Sequence, residues 1–345
     1  TLILWRSSSQ WIGGLFFLFF LIIIFSNKSF NYKMTNLTFS GESNINSEEN
    51  IKDNILKILI IYLALSILIL TLLNYSGLRL FNSLNMSMTL VSGGGFLPTD
   101  SINKIISTNF QKIIFIFSLI LSMLNFYLLF NIFNKKTLIK EHKEDLYLIV
   151  LSIFFCILIY FNNYQGLDII ISIISSLANS GLTLVESDNN LSLYFLLITI
   201  IGGSLISNTS GIKLTRFYIL LKITSSEIIK LISPNSIINK TIFNSDRKIS
   251  DDNVKISFLI FISFFLSLFI LSSLLVVDNI GFEKSFKLSI LTLTNTVNSE
   301  MFAMQNINFS NLLTSSKISL ILFMVIGKIE LISVFLIFKK ILFRN

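Results

Sequence analysis

Charge is scarce in this sequence, and its scarcity argues against a soluble globular domain. Only 13% of the 345 residues are Asp, Glu, Lys or Arg, whereas soluble domains carry about 25%. Proline is limited to two residues, which suits long helices. Hydrophobic residues make up 53% of the chain, and several runs reach about 20 residues, the length that spans a bilayer as a helix. The composition therefore predicts an all-α polytopic membrane protein.

Cysteine and histidine occur once each, which limits the chemistry that the chain can support. Cys156 lies within an apolar run, so a disulfide within the chain is excluded and a packing role is expected. His142 lies in a charged loop, where a metal site is not expected. No hydrolytic or redox constellation and no P-loop signature is visible. The sequence thus predicts neither an enzyme nor a covalently bound cofactor.

Basic residues exceed acidic ones by a net charge of +8 and collect in the connections between apolar runs. This distribution follows the positive-inside rule, so the expected partner is a lipid bilayer and not nucleic acid. The basic connections are predicted to be cytoplasmic, with Lys213 and Arg216 as anchors at that surface. Residues 162–190 contain no Lys or Arg, which places them outside. Three acids in that segment could concentrate cations there, although each alone is typical of a solvated surface charge: Asp168, Glu186 and Asp188.

An internal repeat organises the apolar runs into a long helix, a short helix, a loop and another helix. The short segments, of about 11 to 14 residues, cannot span a bilayer. A membrane helix is predicted over 1–25 and a polar loop over 26–53. Helices are predicted next over 55–74, 78–91 and 110–133, and after them over 146–161 and 166–177. A broken helix begins at 191, and the last three helices are predicted over 256–277, 281–293 and 315–338. Three repeats are predicted over 54–144, 145–250 and 251–345. Residues 1–53 are interpreted as the final helix of a first repeat followed by a cytoplasmic loop.

The broken helix, over 191–222, is longer than a bilayer requires and is interrupted by small and hydroxylated residues. Non-helical backbone at membrane depth is tolerated only where protein buries it or a water-filled cavity wets it. Broken spans of this kind commonly line ion or substrate routes. The alternative is a loop that joins two short helices outside the membrane.

Several motifs resemble the Trk/Ktr/HKT superfamily of cation transporters, over essentially the whole chain. The N-terminal run LILWRSSSQWIGG is similar to the segment after the first pore loop of that family. A second motif lies in the broken helix and comprises Gly202-Gly203, Ser207, Gly211-Ile212-Lys213 and Arg216. A third lies in the last helix, over Met324 to Leu331, and contains Gly327-Lys328 and Glu330. Two short matches are Asn125-Phe126 and Ser233-Pro234-Asn235. The resemblance implies helix–pore-loop–helix units around a central pore. It also implies that a further structural unit precedes Thr1.

The resemblance implies a potassium uptake subunit whose loops form a selectivity filter of backbone carbonyls. The filter residues are then Ser92, Gly93, Gly94, Gly95, Ala178, Asn179, Ser180, Gly181, Asn295, Thr296, Val297 and Asn298. The gating loop comprises Gly202, Gly203, Ser204, Ser207, Asn208, Thr209, Ser210 and Gly211. Lys328 is the basic residue beneath the filter, with Glu330 compensating its charge, and K⁺ at the filter is the only metal ion expected.

Further implications of the resemblance are a homodimer, a cytosolic nucleotide-binding regulatory subunit (TrkA-like) and a location in the bacterial inner membrane. Two loops depart from the family pattern. The loop after the second short helix has an extra glycine that obscures its register, and the last loop has Val297 where glycine is expected. A β-branched residue does not readily adopt a positive φ. A competing interpretation is therefore a non-conducting or weakly selective structural or regulatory relative. A secondary transporter built on inverted repeats fits poorly, because these repeats share one direction.

Overall fold

The structure is a computed structural model that describes residues 2–26, 48–99, 101–133, 143–161, 166–185, 189–233, 240–244, 248–304, 307 and 309–329. Across these ranges the regular structure is helical, which confirms the all-α class. The helices are α1 (Leu2–Ser26), α2 (Glu48–Tyr75), α3 (Leu80–Val91), α4 (Asn109–Met123), α5 (Phe126–Phe133), α6 (Lys143–Phe161), α7 (Leu167–Leu177), α8 (Asn189–Ile201), α9 (Leu214–Ile232), α10 (Asp251–Val277), α11 (Phe282–Leu293) and α12 (Thr314–Ile329).

Three helices in the described part of the chain are long and apolar enough to cross a membrane. They lie over Leu2–Ile23, Lys52–Tyr75 and Asp251–Val277. Large apolar side chains also remain exposed along the outer faces of other helices, such as Ile153 and Phe154 on α6. An outer surface this apolar is unfavourable in water, and hydrocarbon chains solvate it instead.

The three short helices, α3, α7 and α11, occupy equivalent places. Each packs against the long helix that precedes it in sequence, which is α2, α6 or α10 respectively. Each also packs against the helix that ends the preceding unit, which is α1, α4 or α8 respectively. Every unit thus contacts its predecessor through the same pair of elements, and the arrangement of the units around one common axis stays a prediction. The predicted boundaries of the repeats stay a prediction.

The single helix predicted over 110–133 is wrong, because the structure breaks it into α4 and α5. Asn125 caps α5 by accepting, at Oδ1, the N–H of Tyr127 at 2.9 Å. Backbone groups freed by the break pair with the segment that follows α8: Ser204 N–H donates to the Met123 carbonyl at 3.1 Å, and Phe126 N–H donates to the Ile206 carbonyl at 3.0 Å. The break is stable because a distant segment satisfies its backbone.

The other described helices begin and end within about five residues of the prediction, apart from three differences at the ends of predicted segments. The second half of the broken helix, α9, ends at Ile232 and not at residue 222. The polar loop predicted over 26–53 is too long, since α2 begins at Glu48. The last predicted helix is present as α12 up to Ile329, and its remainder over 330–338 lies outside the described residues. His142, Glu186 and Asp188 also lie outside them. Asp168 forms an ion pair with Lys112 at 2.6 Å, so it joins α7 to α4 instead of standing alone at the surface.

Candidate functional site

All three short helices end in the same hydrogen-bonded turn. After α3 the Gly93 N–H donates three residues back at 3.0 Å, and the Gly94 N–H donates five residues back at 2.7 Å. The same two bonds recur at residues 179–180 after α7 and at 295–296 after α11, with lengths between 2.9 and 3.1 Å. This pair of bonds is the Schellman motif, which satisfies carbonyls at a helix C-terminus and turns the chain sharply. Each short helix therefore delivers its loop in the same direction relative to its own axis.

The Schellman turn requires a left-handed residue, and this residue fixes the register of the three loops. Gly93 has φ 66°, Asn179 has φ 55° and Asn295 has φ 51°. Glycine adopts this conformation without strain, and asparagine is one of the few other residues that visit it regularly. The extra glycine in the first of these loops is thus the left-handed residue itself. Two positions further along, Gly95, Gly181 and Val297 are equivalent.

These three equivalent residues meet at one place. A Cβ built on Gly95 would overlap the Ser180 carbonyl oxygen and the side chain of Val297. A Cβ built on Gly181 would overlap the Val297 carbonyl oxygen. Close approach of three backbones therefore requires glycine at two of the positions. The predicted filter residues after α3 and α7 are buried, whereas Asn295, Val297 and Asn298 after α11 are partly exposed.

Val297 is the one residue of these three that carries a side chain. Of the three, only Gly181 is left-handed, with φ 72°, whereas Gly95 and Val297 are not. The Val297 side chain contacts the loop that contains Gly95, and its carbonyl oxygen lies against Gly181. Rotation of that carbonyl away from the common axis stays a prediction.

A cavity of about 620 Å³ lies at the loop tips, and its lining includes none of residues 202–213. Residues of all three loops line it, including Gly95, Gly181 and Val297, together with Arg6 and Glu300. The Arg6 guanidinium lies 4.3 Å from the centre of the Phe96 ring. This cation–π contact holds one positive charge beside the opening.

The predicted gating loop, residues 202–211, lies within a segment over 202–213 that is non-helical and almost entirely buried between α8 and α9. This segment is hereafter called the intramembrane loop. Two asparagines hold it directly against the ends of the short helices. Asn208 Nδ2 donates to the Val91 carbonyl at 2.8 Å, and Ser210 N–H donates to Asn179 Oδ1 at 3.2 Å. Asn179 Nδ2 also donates to the Thr199 carbonyl at 2.9 Å. Protein therefore surrounds this loop, which excludes the alternative of a solvent-exposed connection.

Lys213 lies inside the intramembrane loop, with 3% of its surface exposed. Its Nζ donates to the Thr209 carbonyl at 2.5 Å, to Thr209 Oγ1 at 2.9 Å and to the Ser204 carbonyl at 3.2 Å. Arg216 is equally buried, at 2% exposure. The prediction that these two residues are cytoplasmic anchors is wrong, because their charges neutralise carbonyl dipoles and acids in the interior instead of meeting solvent.

Two adjacent acids at the start of α6 were missed by the sequence reasoning. Glu144 Oε1 accepts the Leu205 N–H of the intramembrane loop at 3.0 Å, and Asp145 Oδ1 accepts the Asn125 N–H at 2.9 Å. Glu144 also faces Lys213 and Arg216 electrostatically. The sequence signal available was a pair of acids immediately before an apolar run, which resembles an ordinary helix N-terminus.

Lys328 on α12 reaches the intramembrane loop, where its Nζ donates to the Asn208 carbonyl. Its ammonium group also lies 4.9 Å from the centre of the Phe17 ring on α1. Gly327, the preceding residue, permits this approach, because a Cβ there would overlap the backbone of Leu293 at the end of α11. A second cavity, of about 880 Å³, lies beside Lys328 and is lined by Ser92, Gly93 and the loop that follows α11. Glu330, the predicted partner of Lys328, lies outside the described residues.

Comparisons with known proteins place this geometry in context. No protein-family model matches the chain. A curated relative, described as an uncharacterized cation transporter from Methanocaldococcus jannaschii, is 25% identical over an alignment that covers 100% of the chain and 71% of the relative. The solved structure of the potassium transporter TrkH from Vibrio parahaemolyticus superimposes with a TM-score of 0.82 at 18% identity, covering 97% of the chain and 72% of that structure.

The chain is therefore a multi-pass helical membrane protein with the fold of a Trk-type transporter. The resemblance to the Trk/Ktr/HKT superfamily indicated by the sequence motifs is confirmed. Both matched proteins are transporters, which agrees with the expectation that the chain is not an enzyme.

Proposed function

We propose that the chain carries monovalent cations, K⁺ foremost, across the membrane through a filter built from the three loop tips. The observation that carries the proposal is the convergence of Gly95, Gly181 and Val297, each two residues beyond a left-handed turn at the end of a short helix. Filters of this kind replace the hydration shell of a cation with backbone carbonyls. The negative C-terminal ends of α3, α7 and α11 add a modest preference for cations.

The proposed route runs from the cavity of about 620 Å³ through the filter and onto the intramembrane loop. Asn208 and Ser210 of that loop lie against the inner ends of the filter segments, so the loop obstructs the route in this conformation. Lys328 beyond it places a positive charge beside the path and holds the loop through the Asn208 carbonyl. Cation flow then follows the membrane potential, which contributes about 2.3 kcal/mol per charge for 100 mV.

The proposal extends to location and assembly. The curated relative and the similar structure are described as a cation and a potassium transporter, which supports a place in the plasma membrane of a prokaryote. A homodimer and a cytosolic nucleotide-binding regulatory subunit follow from the sequence resemblance. The far end of α9 offers a surface for such contacts, since Leu231 and Ile232 are 84% and 78% exposed beside Glu227 and Lys230.

The second candidate is a non-conducting or weakly selective relative, and Val297 favours it. Val297 has a side chain where the other two loops have glycine, and this side chain lies against the loop that contains Gly95. Such a protein would keep the fold and the intramembrane loop as a structural or regulatory subunit.

Rubidium uptake distinguishes the two candidates. The full-length protein is expressed in a host deficient in potassium transport and, separately, is reconstituted in vesicles with an imposed potential. Uptake of ⁸⁶Rb⁺ that is blocked by excess K⁺ supports the transporter. No uptake from protein that is inserted and monodisperse supports the non-conducting subunit.

A further inference from the structure

The intramembrane loop and the break between α4 and α5 form one hydrogen-bonded unit. Ser204 N–H and Phe126 N–H each cross from one segment to a carbonyl of the other, at 3.1 and 3.0 Å. Both segments are interruptions of membrane helices, and neither completes its backbone hydrogen bonds without the other. A displacement of the loop therefore breaks bonds at the α4–α5 break as well.

One pair of consecutive residues contacts both halves of this unit. Glu144 accepts the Leu205 N–H of the loop at 3.0 Å, and Asp145 accepts the Asn125 N–H of the break at 2.9 Å. Successive side chains on a helix point about 100° apart, so two adjacent acids at the start of α6 can reach two different segments. We propose that Glu144 and Asp145 are positioning residues that clamp the intramembrane loop and the α4–α5 break together and thereby hold the loop in its obstructing position.

The burial of Asp145 distinguishes a clamp from an ordinary helix N-terminus. Acids in the first turn of a helix are favourable through the helix dipole alone, and α10 provides the comparison, because Asp251 and Asp252 occupy its first turn and are exposed to solvent. Asp145 is 2% exposed instead. Its second oxygen, Oδ2, is buried and accepts no hydrogen bond from the described residues. A buried carboxylate with an unsatisfied oxygen is costly, and the dipole alone does not require it there.

Opposite charges balance the clamp from the loop side. Glu144 faces Lys213 and Arg216, which are both buried. Lys213 in turn gathers the carbonyls of Ser204 and Thr209 within the loop. Lys213 thus holds the loop from within, and the Glu144 carboxylate, which faces Lys213, holds it from outside. Removing one member of such a buried set leaves the other charge uncompensated, so the clamp should loosen as a unit.

The test measures exposure of the loop and not transport, because the obstructing role rests on the proposed function. Ser210 is the probe position: it is buried, and its Oγ has no hydrogen-bond partner among the described residues, so Ser210→Cys changes little. The background carries Cys156→Ser, which removes the single native thiol. The protein is reconstituted in phosphatidylethanolamine–phosphatidylglycerol vesicles, and modification by a trimethylammonium methanethiosulfonate reagent is followed by intact mass.

We expect Glu144→Gln and Asp145→Asn to accelerate modification at position 210 by about tenfold, the scale of one lost charge-assisted hydrogen bond. The matched control, Asp252→Asn, removes a first-turn acid from α10 and should leave the rate unchanged. Equal rates in Glu144→Gln and the background would overturn the proposal. So would an equal acceleration by Asp252→Asn.

A conservative variant protects the test against misfolding. Glu144→Asp keeps the charge but withdraws the carboxylate by one methylene from Leu205, and we expect a several-fold acceleration from it. If Glu144→Gln is not monodisperse, Glu144→Asp decides, and an unchanged rate there overturns the clamp. Rubidium uptake is measured in parallel on vesicles that contain the unsubstituted protein: its absence contradicts the proposed function, whereas the labelling comparison still decides the clamp.

Discussion

At the scale of single residues, four positions carry most of the proposed chemistry, and each is explained by its neighbours. Gly95 and Gly181 lack a side chain because the backbone of an adjacent loop occupies the space. Val297 is the exception among the equivalent positions, and Lys328 is a cation that contacts a backbone carbonyl. Substitutions at these positions change one contact each, so their effects are interpretable.

Replacing Val297 with glycine should restore the third equivalent position. We expect Val297→Gly to raise the K⁺ over Na⁺ preference several-fold, because the backbone gains access to the conformation that Gly181 adopts at φ 72°. The measurement is ⁸⁶Rb⁺ uptake in vesicles under competition by K⁺ and by Na⁺. Val254→Gly, at a partly buried position in the first turn of α10 and far in sequence from all three loop tips, is the control. An unchanged ratio in Val297→Gly would remove Val297 from the determinants of selectivity.

Neutralising Lys328 should increase flux. Lys328→Gln removes a positive charge beside the proposed route and weakens the bond to the Asn208 carbonyl, so both repulsion and obstruction decrease. We expect a several-fold rise in the initial rate of ⁸⁶Rb⁺ uptake. Lys317→Gln is matched to it, since Lys317 lies on the same helix and lines the same cavity but donates to the Ser310 carbonyl. Similar rates for Lys328→Gln and the unsubstituted protein would assign Lys328 a purely structural role.

At the scale of elements, the three short helices are more alike in the turn that ends them than in their sequences. Three helices that share few residues end in the same Schellman turn because each places glycine or asparagine at the left-handed position. The hydroxyl-rich composition of these helices is compatible with burial, because most Ser and Thr side chains donate to carbonyls of the preceding turn, as Ser176 and Ser289 do.

The left-handed turns give a stability prediction at this scale. Asn295→Ala should destabilise the protein by about 1–2 kcal/mol, because alanine is strained at φ 51°. Asn295→Gly keeps the turn and loses only the bond from Nδ2 to the Met324 carbonyl, so it should be the milder variant. Thermal unfolding in detergent, followed by fluorescence-detected size exclusion, compares the two. Equal loss in both variants would mean that the side-chain bond, and not the backbone conformation, holds this loop.

At the scale of the whole molecule, the distribution of charge predicts orientation in the membrane. Basic residues collect in the connections between units, and the loop tips lie on the opposite side of the predicted topology. The exposed residues Asn103, beyond a loop tip, and Ser225, on α9, should therefore lie on opposite faces. A thiol reagent that cannot cross the membrane should modify Asn103→Cys from outside and Ser225→Cys only after permeabilisation, in the Cys156→Ser background. The reverse pattern would invert the topology.

The sequence by itself determined the class and, apart from the break at Asn125, the order of the helices. Runs of about 20 apolar residues indicate membrane helices, and short helices before glycine-bearing loops indicate re-entrant loops. The motif at Gly202-Gly203 located the intramembrane loop, because small and hydroxylated residues in the middle of a long span are unfavourable for a continuous helix. Local chemistry sufficed for these predictions.

Only the tertiary structure decided the register of the loops, the break at Asn125, the burial of Lys213, Arg216 and Asp145, and the contact of Glu144 with the intramembrane loop. Each depends on partners that are distant in sequence. A helix breaks where another segment satisfies its freed backbone groups, and a charge enters the interior where an opposite charge meets it. A sequence pattern describes one segment at a time, so it shows a basic residue after a loop or an acid before a helix. Whether such a charge faces water or a buried partner is determined by packing.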